Sequence, residues 1–106
     1  MAPVPPGVAM KLKLPDNISV FGIEQSVITD RMDAPNDCGE YDFKAKRIRI
    51  SQDVAESGRV DLLFHEVGEL ANMALEIGLT HKQICAISVA FYDFVVNNLD
   101  RMVEHE

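Results

Sequence analysis

The sequence has few of the features that mark secreted, membrane or nucleic-acid-binding proteins. Its 106 residues include two cysteines, and neither belongs to a CxxC motif, which argues against a disulfide framework or a cysteine-rich metal knuckle. It has no apolar run long enough to span a bilayer and no signal-peptide pattern, so we expect a cytoplasmic protein without a membrane partner. Acidic residues outnumber basic ones, 17 to 10, which argues against nucleic acid as a partner.

What is present fits one small globular domain. Apolar residues make up 47% of the chain and charged residues 25%, enough for one modest core. The segment 1–16 opens with a proline-rich stretch and is expected to be a loose N-terminal tail. Residues 17–103 are expected to form the single domain.

The first half of this domain has the short β-branched runs and turn residues of β-strands. The predicted elements are strands at 18–21 and 26–29, a loop at 31–37, and a hairpin of strands 39–42 and 46–50. Gly22 and the polar pair Glu24–Gln25 are expected to connect the first two strands. In the last strand Ile48 and Ile50 alternate with two arginines, which predicts one buried and one exposed face.

The second half has helical periodicity. Apolar positions recur from Val60 onwards, with a start expected between Asp53 and Ser57 and a stop at Gly78. Thr80 and the glutamine three residues later predict a capping box for a second helix. Its expected buried face comprises Ile84, Ile87, Phe91, Phe94 and Val95. Strands followed by helices predict an α+β domain, a small antiparallel sheet packed on two main helices.

The segment with the clearest chemistry is the HExxE pattern formed by His65, Glu66 and Glu69. His65 and Glu69 are four residues apart, so on a helix they share one face and can bind one Zn²⁺. Glu66 is turned about 100° around the axis, where a carboxylate can act as general base. Gly68 and Ala71 are small enough to let a strand or a substrate approach closely. The alternative is a lone histidine on a charged, solvent-exposed helix face.

Two further side chains have alternative interpretations. Tyr41 is expected either to hydrogen-bond a substrate from the sheet edge or simply to pack. Cys85 is expected to be a buried small residue rather than a nucleophile, because no His–Asp partner pattern surrounds it.

Several short motifs occur together in a distinctive order. They are Gly39-Glu40-Tyr41-Asp42, Arg47-Ile48-Arg49-Ile50, Leu62-Leu63-Phe64-His65-Glu66 with Glu69, Leu79-Thr80-His81 with Ile84, and Phe91-Tyr92 with Asn98. In this order they resemble a group of small phage- and prophage-encoded zincin-like proteins, similar in outline to ImmA/IrrE-type and SprT-like metallopeptidases. The resemblance implies a zincin-like fold, with zinc ligands at His65 and Glu69 and a catalytic base at Glu66. It also suggests His81 as a third ligand.

The suggested third ligand poses a geometric problem. His81 lies twelve residues beyond Glu69, a distance of about 18 Å along a straight helix. The first helix must therefore end early or bend near residues 72–76, or the second helix must cross it steeply. If none of these occurs, Asp93 on an antiparallel second helix is the alternative ligand.

Two functions are compatible with these patterns. The first is a zinc-dependent hydrolase, a minimal metallopeptidase that acts on a protein or peptide. The second is a non-catalytic zincin-like phage protein that binds a host protein and has a structural metal or none. The glutamate at position 69 favours the second, because most peptidases of this kind carry histidine there and a carboxylate makes the metal a weaker Lewis acid. A phage-encoded protein of either kind is expected in the host cytoplasm.

Overall fold

The computed structural model describes residues 12–33 and 38–104 as four strands followed by two helices. The strands are β1 (Asn17–Val20), β2 (Ile23–Asp30), β3 (Gly39–Asp42) and β4 (Arg47–Ser51), and the helices are α1 (Glu56–Ala74) and α2 (His81–Met102). The α+β class is confirmed. Most of the expected tail and part of the loop expected at 31–37 lie outside the described residues. Neither helix in the described ranges has the length and apolar character needed to cross a lipid bilayer.

The sheet is mixed, so the expectation of a purely antiparallel sheet is wrong. Its strand order is β1-β2-β4-β3, with antiparallel pairs at both ends and a parallel pair, β2 with β4, in the middle. Hairpin patterns specify only pairings between neighbouring segments of the chain. The parallel pairing arises because β3 takes the edge position and β4 enters beside β2.

The first hairpin turns more tightly than the sequence suggested. Phe21 (φ 52°) and Gly22 (φ 78°) both have left-handed backbone conformations, and Val20 pairs directly with Ile23. Two left-handed residues in succession are typical of a two-residue hairpin turn whose twist matches that of the strands. Glu24 and Gln25, expected in the connection, therefore belong to β2, and Gln25 is buried.

The core lies between the sheet and α1. Val27, Ile48, Ile50 and Leu63 form a buried cluster, in which both isoleucines are fully buried. The predicted alternation in β4 is thereby confirmed. Leu14 packs against this cluster from the segment that precedes β1.

Arg49 ties three strands together on the opposite face of the sheet. Its guanidinium donates to the Glu40 carboxylate at 2.6 Å and to the Asp30 carboxylate at 3.3 Å. The hydrogen bond to Glu40, together with both negative charges, raises the pKa of Arg49. These bonds hold the edge strand β3 in register beside β4.

The two helices meet at small side chains. A Cβ atom on Gly68 of α1 would lie 3.1 Å from both Ile84 Cγ2 and Ser88 Oγ of α2. Such a separation is tighter than ordinary van der Waals contact. Gly68 therefore admits α2, not the strand or substrate expected from the sequence.

The buried face of α2 differs from the predicted one. Ile84, Ser88 and Val96 are buried, whereas Ile87, Phe91 and Phe94 are 43%, 59% and 50% exposed, and Val95 is half-buried. The prediction is right for Ile84 and wrong for Ile87, Phe91 and Phe94, and Val95 is intermediate. Close packing at Gly68 instead selects the face that carries Ser88.

The observed ends of the two helices agree only in part with the ends predicted from the sequence. α1 begins after Ala55 without a side-chain cap, so the capping alternatives near Asp53 are wrong, whereas the Thr80 capping box of α2 is confirmed. α1 ends before the expected stop at Gly78. Glu76 takes a left-handed conformation (φ 52°) and the Ile77 N–H donates to the Asn72 carbonyl at 3.1 Å, a pattern that closes a helix C-terminus.

Gly68→Val tests the close helix contact. We expect the substitution to lower the free energy of unfolding by about 1–3 kcal/mol, because the branched side chain overpacks the α1–α2 interface. Gly58→Val, in the first turn of the same helix, is the matched control, since a Cβ there meets only Val54 at 3.4 Å. Urea unfolding of both variants measures the difference, and equal effects at the two glycines would contradict this packing.

Candidate metal site between the two helices

Two histidines from different helices face each other. His65 lies in the middle of α1, and His81 is the first residue of α2. Their ring centroids are 5.0 Å apart and the rings are nearly perpendicular. The early end of α1 makes this approach possible, and it resolves the geometric problem posed by the distance along the chain.

Asn72 holds the connection between the helices in place. Its side-chain amide donates to the Leu79 carbonyl at 3.2 Å, and its side-chain oxygen accepts from the Leu79 N–H at 2.8 Å. A side chain that satisfies both backbone groups of one residue fixes the path of the chain at that point. The start of α2, and with it His81, is thus tied to α1 one turn beyond Glu69.

Glu69 lies between the two imidazoles. Its Oε1 is 3.5 Å from His65 Nε2 and 3.1 Å from His81 Nδ1. The structure therefore brings together the three residues expected as metal ligands. Asp93, the alternative, is exposed and accepts a hydrogen bond from the Asn97 side chain at 3.1 Å, away from this group.

Cys85 joins the same group, which the sequence interpretation missed. Its Sγ lies 3.5 Å from His81 Nε2 and 3.7 Å from His65 Nδ1, and the thiol is half-buried and not in a disulfide. The available signal was the spacing of His81 and Cys85, four residues apart on one helix face. The sequence interpretation weighed a buried small residue against a nucleophile at Cys85 and did not consider it as a candidate metal ligand.

Glu66 is a buried carboxyl group at the base of the site. The residue is 6% exposed. Burial, followed by the charges of Glu69 and Glu40, raises the pKa of the Glu66 carboxyl to about 7, and His81 acts in the opposite direction. Room for this carboxyl comes from Gly39 on β3, where a Cβ atom would lie 3.0 Å from Glu66 Oε1.

Two open cavities meet at this point. The first, of about 380 Å³, is referred to as the Tyr41 cavity and the second, of about 370 Å³, as the Cys85 cavity. Both are lined by Gly39, His65, Glu66 and His81. Tyr41 lines the first cavity and packs against the core cluster, and its hydrogen bond to a substrate stays a prediction.

The donor groups suit a divalent transition metal. Imidazole, carboxylate and thiolate are the usual zinc ligands, at about 2.0–2.3 Å. Among the described residues, one group of three such side chains has donor atoms that all lie within 4.8 Å of one another, namely His65, His81 and Cys85. An ion bound there would also lower the pKa of the nearby Glu66 carboxyl, as any adjacent cation does.

Glu66→Gln tests the cost of the buried carboxyl in metal-free protein. The folded pKa of about 7 lies above the ordinary value of 4.5, so the unfolded chain loses its proton first as the pH rises. Stability therefore falls between these two values, and the full cost, on the order of 3 kcal/mol, applies above pH 7. Glutamine mimics the protonated form. At pH 8 we expect the variant to have a higher midpoint urea concentration of unfolding than the native chain. At pH 4 we expect the two midpoints to be the same.

The control for charge loss is Glu24→Gln, the same substitution at an exposed position of β2. Unfolding is followed with EDTA present, so that bound metal does not contribute. A stability difference at position 66 that is unchanged between the two pH values would contradict the raised pKa.

Comparison with known proteins identifies no relative of this chain. The chain matches no protein-family model, no curated protein and no solved structure. The resemblance to small phage zincins therefore stays a prediction from short motifs. The arrangement of His65, Glu66, Glu69, His81 and Cys85 provides the evidence on function.

Proposed function

We propose that the protein is a zinc-dependent hydrolase, a minimal metallopeptidase in which Glu66 is the general base. One observation carries the proposal: imidazoles from two different helices meet beside a buried carboxyl group in an open cavity. A histidine on a solvent-exposed helix face would have no reason to meet a second imidazole. Nor would an ordinary core contain an ionisable carboxyl next to them, because burying its charge is costly.

The chemistry divides between the ion and the protein. Bound zinc would polarise the substrate carbonyl and lower the pKa of water. His65 and His81 would hold the ion between α1 and α2. Glu66 would accept the proton of the attacking water and deliver it to the departing amine. It lines both cavities, so it can reach a water molecule on either side of the two imidazoles.

The edge of the sheet offers a place for an extended peptide. β3 lies at one edge of the described sheet. Its residues Gly39 and Tyr41 line the Tyr41 cavity together with His65 and Glu66. An edge strand can pair with the backbone of an added chain. We infer a protein or peptide substrate aligned along β3, with Tyr41 contacting it near the scissile bond.

The proposed setting follows the resemblance. A minimal phage- or prophage-encoded metallopeptidase would act in the cytoplasm of the host cell. Neither nucleic acid nor membrane is expected as its partner, and the net charge of −7 disfavours binding to phosphate groups.

A comparison of Glu66→Gln with His65→Ala tests the proposal. Purified native protein should retain about one zinc per chain and hydrolyse an unfolded protein. Glu66→Gln should keep the zinc and lose at least about 100-fold in hydrolysis, because general-base catalysis contributes a factor of this size. His65→Ala should lose both. Glu56→Gln, exposed in the first turn of α1, is the control that should retain both.

The second candidate function is a zincin-like protein that binds a host protein without catalysis. It is favoured by the exposed stripe of Ile87, Phe91 and Phe94 on α2. In that case zinc either stabilises the fold of native protein and Glu66→Gln alike or binds to neither, and neither protein hydrolyses any unfolded protein. This outcome would overturn the proposed catalytic role of Glu66.

A further inference from the structure

The position of Cys85 relative to the two imidazoles matches that of a zinc ligand. Its sulfur lies 3.5 Å from His81 Nε2 and 3.7 Å from His65 Nδ1. In a tetrahedral zinc site with ordinary Zn–N and Zn–S bonds, the nitrogen and sulfur atoms are about 3.6 Å apart. The separations are therefore those of atoms that share one ion.

The imidazole nitrogens that face Cys85 are not those that face Glu69. Glu69 Oε1 approaches His65 Nε2 at 3.5 Å and His81 Nδ1 at 3.1 Å, the opposite nitrogen of each ring. One imidazole gives one ion a single nitrogen. In this arrangement of the rings, an ion bound to the two nitrogens that face Cys85 is therefore not shared with Glu69, which faces the other nitrogen of each ring.

We propose that Cys85, as a thiolate, is the third zinc ligand beside His65 Nδ1 and His81 Nε2, and that Glu69 orients both imidazoles. This deepens the proposed function and rests on its zinc site. The thiol proton passes to solvent as the sulfur–zinc bond forms. The ring nitrogens turned away from the ion both face Glu69 Oε1, His81 Nδ1 at hydrogen-bond distance (3.1 Å) and His65 Nε2 at ion-pair distance (3.5 Å).

Two observations favour this set over one with Glu69 as ligand. The set of His65, His81 and Cys85 is the one in the described part of the chain whose donor atoms lie within 4.8 Å of one another. In addition, metal-binding histidines commonly donate their second N–H to a carboxylate, which fixes the tautomer and the ring orientation. Glu69 occupies that position for both rings at once.

The inference also accounts for glutamate at position 69. A carboxylate can face both ring nitrogens with one acceptor oxygen that carries a negative charge, whereas a neutral histidine there would offer one uncharged acceptor nitrogen. Three protein ligands leave the fourth zinc position open, as catalytic zinc sites require. Glu66 lines the Cys85 cavity as well as the Tyr41 cavity, so it can still serve as the base.

Cobalt substitution of the full chain tests the ligand directly. Co²⁺ bound by a thiolate has an intense sulfur-to-metal charge-transfer absorption in the near ultraviolet, which oxygen and nitrogen ligands do not give. We expect this band in native protein and in Cys38→Ser, which removes the other cysteine lining the same cavity. Cys85→Ser should lose the band. Glu69→Gln should keep it while binding Co²⁺ about 10–100-fold more weakly, as expected for a residue that orients ligands.

The inference is overturned if native protein binds Co²⁺ without the band, or if Cys38→Ser, not Cys85→Ser, removes it. Loss of Co²⁺ binding in Glu69→Gln with full binding in Cys85→Ser would assign the third position to Glu69 and leave the proposed hydrolase intact. Conversely, a Cys85-dependent band in protein that never hydrolyses a peptide would uphold the ligand and refute the hydrolase. The spectrum thus reports on the ligand separately from activity.

Discussion

The whole site depends on how closely α2 returns to α1 after the chain reverses. Gly68 lets the two helices approach to a distance that a side chain would prevent, and Asn72 fixes the reversal through the backbone of Leu79. Without this constraint, His81 would lie at the far end of a helical hairpin. With it, the first turns of α2 bring His81 and Cys85 beside His65.

A buried carboxyl is the second constraint, and it works against stability. Glu66 lies under β3, where Gly39 leaves space for its oxygen, in surroundings that include two other carboxylates. Burial and neighbouring negative charge both disfavour ionisation. A small domain with one core has little stability to spare. Retaining such a group makes physical sense where a cation lies beside it, because the positive charge would offset part of that cost.

Local patterns predicted much of the fold. Alternation in β4, the β3–β4 hairpin and the Thr80 capping box are properties of neighbouring residues, and the structure has all three. The parallel pairing of β2 with β4 joins distant segments, so no local pattern specifies it. Most of the buried face of α2 was mispredicted because hydrophobic periodicity selects the most apolar face, whereas the close contact at Gly68 turns the face that carries Ser88 towards α1.

The site was partly predictable for the same reason. His65, Glu66 and Glu69 lie on adjacent turns of one helix, so spacing alone places them together. Their approach to His81 depends on where α1 ends, which Glu76 sets by a left-handed conformation that glutamate rarely adopts. The spacing of Cys85 and His81 on α2 was readable from the sequence, but the approach of Cys85 to His65 on α1 depends on the same chain reversal.

The most direct test is the X-ray absorption spectrum of zinc bound to the full chain at one equivalent. A zinc site between α1 and α2 predicts imidazole nitrogen from two histidines at about 2.0–2.1 Å, and the Cys85 ligand adds one sulfur at about 2.3 Å. Zinc surrounded only by oxygen, or no zinc retained at all, would contradict a metal site at the meeting of the two helices.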